Sequence, residues 1–395
     1  MKSILAKIVV SQFFCTSLWF AGNAIMPDII QQLHFEAGSL AHLTSVVQFG
    51  FILGTLVFAL FMISDRISPS RVFFISSLIA GGCNLAITLD GIQFASLVTL
   101  RFFTGFFLAG IYPIGMKIAS DYFQKGLGKS LGFLVGALVL GTAFPHLLKW
   151  LTMGLPWKYV LFSTSALSAI GGTIILLFVP DGPYRKAGQQ IKLAAFFKVF
   201  RNREFRAAAL GYFGHMWELY AFWAFVPVIL RTYKEHYPGS ALNIPFYSFL
   251  IIASGGIACA VTGWLSQRWG TKRMAMLLLF LSCICCLLSP LFLFNPSVVA
   301  LLVFLFFWGL VVIADSPLFS TLVAQNAPGE SRGTSLTMVT CIGFAITIVS
   351  IELMSVLLDR VNTQFVYMAL AIGPVLGLLA LLGKRGKAKA GRGES

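Results

Sequence analysis

Long apolar runs separated by short polar turns fill this chain from end to end. A helix needs about 20 mostly apolar residues to cross the hydrocarbon core of a bilayer. Runs of that kind fall at roughly 6–30, 41–63, 72–90, 93–121, 129–150, 158–180, 206–230, 244–266, 273–293, 297–324, 334–358 and 362–383. The pattern predicts an all-α membrane protein with twelve transmembrane helices. The first run follows Lys2 and Lys7 as a secretory signal would, but it is too long for one. It is therefore expected in the mature protein. One polar connection is long, and within it Ile191–Phe200 places apolar residues against Lys192 and Lys198 at helical spacing. That stretch predicts an amphipathic helix lying at the membrane surface. The expected organisation is a six-helix bundle over 1–180, a linker over 181–205, a second six-helix bundle over 206–383 and a basic tail over 384–395.

Composition sharpens the class. The 395 residues are 58% hydrophobic and 11% charged, whereas soluble domains carry about 25% charged residues. A net charge of +15 could suggest nucleic acid. Here the basic residues sit in short turns, so no nucleic-acid partner is expected. On one side lie Lys2, Lys7, Arg66, Arg71, Lys125, Lys129, the stretch Arg185–Arg206, Arg268, Lys272, Arg273, Arg332 and the tail Lys384–Arg392. The other side has Lys149, Lys158, Arg231, Lys234 and Arg360. Basic turns stay cytoplasmic, which predicts cytoplasmic termini in a plasma membrane of the bacterial inner-membrane kind. All seven cysteines lie inside apolar runs, so no disulfide framework is implied. Cys283, Cys285 and Cys286 cluster without a histidine at zinc spacing and read as small apolar residues, with no metal and no cofactor expected.

The two halves repeat. An offset of 204 carries Gly105, Pro113 and Asp121 onto Gly309, Pro317 and Gln325. An offset of 202 carries Asp65–Arg71 onto Gln267–Arg273, and one of 200 carries Phe13 and Pro27 onto Phe213 and Pro227. Parallel repeats of six spans around a midplane site are a transporter plan.

These residues resemble the major facilitator superfamily over nearly the whole chain. Its signature loop, Gly-x-x-x-Asp-Arg-x-Gly-x-Arg-Arg, is similar to Gly263, Arg268, Gly270, Lys272 and Arg273, with Gln267 in place of the acid. In the first half Asp65, Arg66 and Arg71 match, while Phe61 and Ser68 replace both glycines. Arg101 with Gly105 resembles the fourth-span motif. Gly132, Gly136, Gly141 and Pro145 resemble a loose form of the fifth-span motif linked to antiport. The resemblance implies two pseudo-symmetric bundles, a monomer, and a cavity lined by spans one, four, seven and ten that opens alternately to either side.

Candidate chemistry sorts by depth. At the inner ends, Asp65, Arg66, Arg71, Asp121, Gln267, Arg268 and Arg273 are expected to act as a gate. Asp65 would cap the start of span eleven, and Arg71 would pair with Asp121. Lys117 would pair with Asp121 or reach inward to water. Glu218 lies near the middle of span seven with His215 on the same helical face. It is either a proton carrier or a structural hydrogen-bond acceptor. Asp315, Asp28 and Glu352 are further proton-coupling candidates. Arg101, Asn23, His215, Trp217, Tyr220, Trp223 and Tyr112 are expected to line a substrate site. Arg101 would hold an anionic solute or pair with Asp28.

No phosphate-cradling Gly-Lys-Ser loop occurs, and no cluster of His, Asp or Ser marks an enzyme. The expected function is secondary transport of a small organic solute, by proton-coupled import. Proton-coupled drug or metabolite efflux is the alternative, and a non-transporting membrane receptor is the alternative from another class.

Overall fold

Every regular element among the described residues is helical. The structure is a computed structural model and describes residues 2–33, 38–123, 127–185 and 193–383. The first half contains α1 (Lys2–Thr16), α2 (Ala21–Leu33), α3 (Ser39–Leu60), α4 (Ile63–Arg66), α5 (Pro69–Ala86), α6 (Phe94–Leu108), α7 (Tyr112–Tyr122), α8 (Leu127–Leu151) and α9 (Lys158–Phe178). A short α10 (Leu193–Phe200) leads into the second half. That half contains α11 (Arg203–His236), α12 (Ile244–Trp269), α13 (Thr271–Phe292), α14 (Val298–Ala314), α15 (Ser316–Asn326), α16 (Arg332–Arg360), α17 (Thr363–Val366) and α18 (Ile372–Leu382). The basic tail and linker residues 186–192 lie outside the described residues.

Eleven segments among the described residues are long and apolar enough to cross a bilayer. Four of them run through two α-helices, at α1–α2, α6–α7, α14–α15 and α17–α18, the last pair linked by a 3₁₀ turn over Tyr367–Ala371. The predicted third span corresponds to α5, which is absent from that set. Its 18 residues include Arg71 and Asn84, and these lower its apolarity. Below, the N-face is the side where α1 begins, and the far face is the other.

Lipid tails are as apolar as leucine, so helices in a bilayer associate through close packing at small residues. A Cβ on Gly105 would sit 2.0 Å from the Val47 carbonyl oxygen, and one on Gly309 would sit 2.4 Å from that of Ile251. The interval of 204 residues between Gly105 and Gly309 also separates Val47 from Ile251. The repeat is thus a repeat of backbone contacts. The same interval relates the breaks before Pro113 and Pro317, which stand in the first turns of α7 and α15. Proline lacks the N–H that would continue the helix and ends it one turn back.

Helices α1–α9 (the N-lobe) pack mainly on one another, as do α11–α18 (the C-lobe). Helix α3 against α16 and α8 against α12 join the lobes. At the far face the rings of Trp150 and Phe246 stand 4.8 Å apart across this junction, and Asn243 Nδ2 donates to Met153 Sδ at 3.4 Å. The two N-face loops differ. Gly270 takes φ +86°, a backbone that glycine alone adopts readily, whereas Ser68 stands at φ −51°. The first half instead inserts α4, with Met62 left-handed at φ 50°.

Candidate functional site

Glu218 is 1% exposed in the middle of α11. Three donors from two neighbouring helices converge on its carboxylate. Trp308 Nε1 of α14 donates to Oε1 at 2.6 Å, and Cys286 Sγ of α13 donates to the same oxygen at 3.3 Å. Ser282 Oγ, one turn before Cys286, donates to Oε2 at 2.8 Å. Ser282 and Cys286 are four apart and therefore share a helix face. All three partners belong to the C-lobe, so the carboxylate points into that bundle.

His215 and Asp315 form a second buried group, each 1% exposed. The Nδ1 of His215 lies 2.7 Å from Asp315 Oδ1, and among the described residues His215 Nε2 has no hydrogen-bond partner. Asp315 occupies the break between α14 and α15. There Thr262 Oγ1 donates to the freed Ala314 carbonyl at 2.9 Å, and Cys259 Sγ to that of Ile313 at 3.5 Å. Irregular backbone inside a membrane persists only where such partners satisfy it.

The N-lobe carries its charge differently. Arg101, 2% exposed on α6, donates Nη1 to the Leu18 carbonyl at 3.2 Å and Nη2 to that of Trp19 at 2.6 Å. These carbonyls lie in the gap between α1 and α2, where the helical ladder is interrupted. Asp28, the expected partner, pairs instead with Lys149 at 2.7 Å. The reason is position: Asp28 lies toward the far-face end of α2, and Lys149 occupies the matching end of α8. Asn23 is buried and donates to Thr44 Oγ1 at 2.9 Å. With Arg101, Gly22 and Leu43 it lines a cavity of about 10 Å³, roughly the room one water needs.

Between the lobes the middle is closed by aromatic rings. Tyr220 lies 5.9 Å from Trp19 and 5.2 Å from Phe344, centroid to centroid. Phe51 lies 4.8 Å from Trp19 and 4.5 Å from Phe344, while Trp223 meets Phe20 edge-on at 6.3 Å. These separations are the preferred range for offset and edge-to-face pairs. Tyr112 stands at the start of α7 and is half-buried. Trp217 is not part of this closure. Its Nε1 donates to the Ala369 carbonyl at 3.2 Å, so it faces the segment before α18.

The expected inner latch is not formed in this conformer. Asp65 pairs with Lys117 inside the N-lobe, and the start of α16 has no side-chain cap. Lys117 thus chooses Asp65 over Asp121. Arg71 is exposed, and among the described residues it makes no ion pair with the buried Asp121. Arg66, Gln267, Arg268 and Arg273 are also exposed, with the Arg268 guanidinium 4.4 Å from the Trp264 ring. The physical cause is where the lobes meet. Among the described residues the single contact between a basic and an acidic side chain that joins them is His42 Nδ1 with Glu352 Oε2 at 3.0 Å, towards the far face. Near that face Lys158 lies 2.6 Å from Asp90, and its hydrogen bond and charge hold the Asp90 carboxyl below the usual carboxylate range.

Sequence reading missed Trp19, Phe51, Phe344, Trp308, Ser282 and His42. The spacing of Ser282 and Cys286 was a usable signal, because both small polar residues share one stripe of an otherwise apolar helix. The aromatic closure had none, since phenylalanine occurs throughout the spans.

A family model described as Major Facilitator Superfamily matches residues 8–351. Among solved structures, the human organic anion transporter MFSD10 (TETRAN) is similar, with a TM-score of 0.75 and 14% identity. That likeness covers 96% of this chain and 99% of the other. At such identity it concerns the fold. No curated protein matches the sequence.

Proposed function

The chain belongs to the major facilitator superfamily, and from that premise of a membrane transporter we propose proton-coupled transport of a small organic solute by alternating access. One observation carries the coupling. Two carboxylates, Glu218 and Asp315, lie 1% exposed in the middle of the C-lobe, and His215 is the single basic side chain at ion-pair distance from either among the described residues. A buried carboxylate without a cation is stable only if it is hydrogen-bonded or protonated, and a group with both options suits a proton carrier. The direction we propose is import into a cytoplasm facing the N-face of a bacterial inner membrane. Efflux is the second reading. It draws on α8, where the backbones of Gly136 and Gly256 approach so that a Cβ on either would lie 3.4 Å from the other's oxygen. We propose a monomer as the working unit.

Human MFSD10 is an organic anion transporter. In this chain Arg101, the cation such a solute would meet, is engaged by carbonyls. The surface between the lobes offers Trp19, Tyr220 and Phe344 instead. The solute we propose therefore carries a flat apolar part and needs no negative charge.

The experiment begins with a ligand screen by thermal stabilisation, since a ligand that binds the folded state raises its melting temperature. Hits are then tested in proteoliposomes with an imposed pH gradient. Uptake against the solute gradient that collapses with the pH gradient supports the reading. Uptake indifferent to the pH gradient contradicts it.

A further inference from the structure

Ser282 stands between two acceptors. Its Oγ is 2.8 Å from Glu218 Oε2 and 3.2 Å from the Leu279 carbonyl oxygen in the preceding turn of α13. A hydroxyl has one proton to give and lone pairs with which to accept. When Glu218 is charged, the Ser282 proton points at Oε2. When Oε2 carries a proton, that proton is donated to Ser282 Oγ, and the Ser282 O–H turns to Leu279. No heavy atom has to move. The other oxygen, Oε1, faces the indole N–H of Trp308 at 2.6 Å and the thiol of Cys286 at 3.3 Å. An indole N–H can only donate, which directs the added proton to Oε2.

We propose that Ser282 is a reversible hydrogen-bond partner that lets Glu218 hold and release a proton inside the membrane, and so a positioning residue for the proton site. The place of this switch in transport rests on reading Glu218 as the coupling group; the switch itself rests on the geometry. An unpartnered polar group in an apolar interior is costly, and the rotation of one hydroxyl avoids that cost in both charge states. The ionisable groups facing Glu218 are His215 on its own helix, Asp315 at the α14–α15 break, and the thiols of Cys283, Cys285 and Cys286 on α13. Lysine and arginine are absent from that set, so the carboxylate answers to its burial and, within it, to these hydrogen bonds rather than to a fixed cation.

The test is a pH titration of the full-length protein in lipid, with no solute added. It follows Trp308 fluorescence and the infrared carbonyl band of protonated carboxyl groups, with Trp308→Phe and Glu218→Gln as the respective blanks. Among the titrating carboxyls of the wild type, Glu218→Gln should remove one, and the difference between the two titrations isolates it. Ser282→Ala should displace that titration by about one pH unit toward alkaline, a tenfold change in proton affinity, because the charged form loses the stronger bond. It should also move the protonated carbonyl band toward that of a free acid. Ser282→Thr, which keeps the hydroxyl, should restore both. A Ser282→Ala titration that superposes on the wild type, or a Ser282→Thr titration displaced like that of alanine, overturns the proposal. Solute uptake that ignores Glu218 while the titration behaves as described would instead overturn the proposed function and leave this inference standing.

Discussion

The two lobes share a backbone plan and handle buried charge in opposite ways. In the N-lobe the cation of Arg101 rests on the carbonyls of Leu18 and Trp19, groups that cannot change charge. In the C-lobe the acids Glu218 and Asp315 rest on side chains of Trp308, Ser282, Cys286 and His215, most of which can rotate or exchange protons. The repeat underlines the contrast. The offset of 200 that aligns α1 with α11 places Leu18 opposite Glu218, so the backbone acceptor of one lobe stands where the other has its carboxylate. A fixed charge on fixed partners builds structure. A changeable charge on adaptable partners can do work.

The largest expected effect breaks the fixed side. Arg101→Ala leaves two buried carbonyls without a donor at a helix break, and each such group costs about 1–3 kcal/mol. The melting temperature in detergent should fall by several degrees at every pH, and Arg101→Lys should recover part of it. Unchanged melting with lost binding of an anionic solute would instead make Arg101 a ligand residue.

The adaptable side should respond in the opposite sense. Glu218→Gln keeps the shape and an acceptor oxygen for Trp308, so its cost in stability should stay below that of Arg101→Ala. Concentrative uptake should drop by at least about tenfold, roughly 1.4 kcal/mol in coupling, while solute exchange without a gradient survives. Concentrative uptake retained by this variant would move coupling elsewhere.

A smaller effect tests what the lobes have in common. Gly105→Ala and Gly309→Ala each push a Cβ into a carbonyl oxygen of the adjacent helix, at 2.0 and 2.4 Å. Overpacking of this kind costs about 1–3 kcal/mol, and thermal melts should show similar losses for both. A loss confined to one lobe would break the symmetry of the packing. The smallest effect belongs to His42→Gln. Its bridge to Glu352 is partly solvated, with the His42 side chain 62% exposed, and such pairs are worth at most about 1 kcal/mol. Cysteine accessibility at the far face should rise only slightly, and high salt should erase the difference.

Much of the fold was legible in the sequence because a bilayer leaves few options. Run length marked the spans, and Gly105 with Gly309 marked the repeat that the structure turns into matching contacts on Val47 and Ile251. The breaks at Pro113 and Pro317 carried their own signal. The break after Thr16 did not, since no proline lies between Thr16 and Ala21, and the donor that meets its free carbonyls comes from a distant helix. The burial of Glu218 was readable from its depth, but its three donors come from two other helices and depend on how these are rotated. The inner-end pairings of this conformer differ from the expected ones for a related reason. Asp65 and Arg71 choose partners according to which ends of the lobes touch, and in this conformer the far ends meet.

The most direct measurement is proton flux. In lightly buffered proteoliposomes a solute gradient alone should draw protons with it, recorded as a pH change in the lumen. The flux should persist in Arg101→Lys and vanish in Glu218→Gln. Proton movement of wild-type size in Glu218→Gln, or its loss only in Arg101→Lys, would contradict the division of labour between the two lobes.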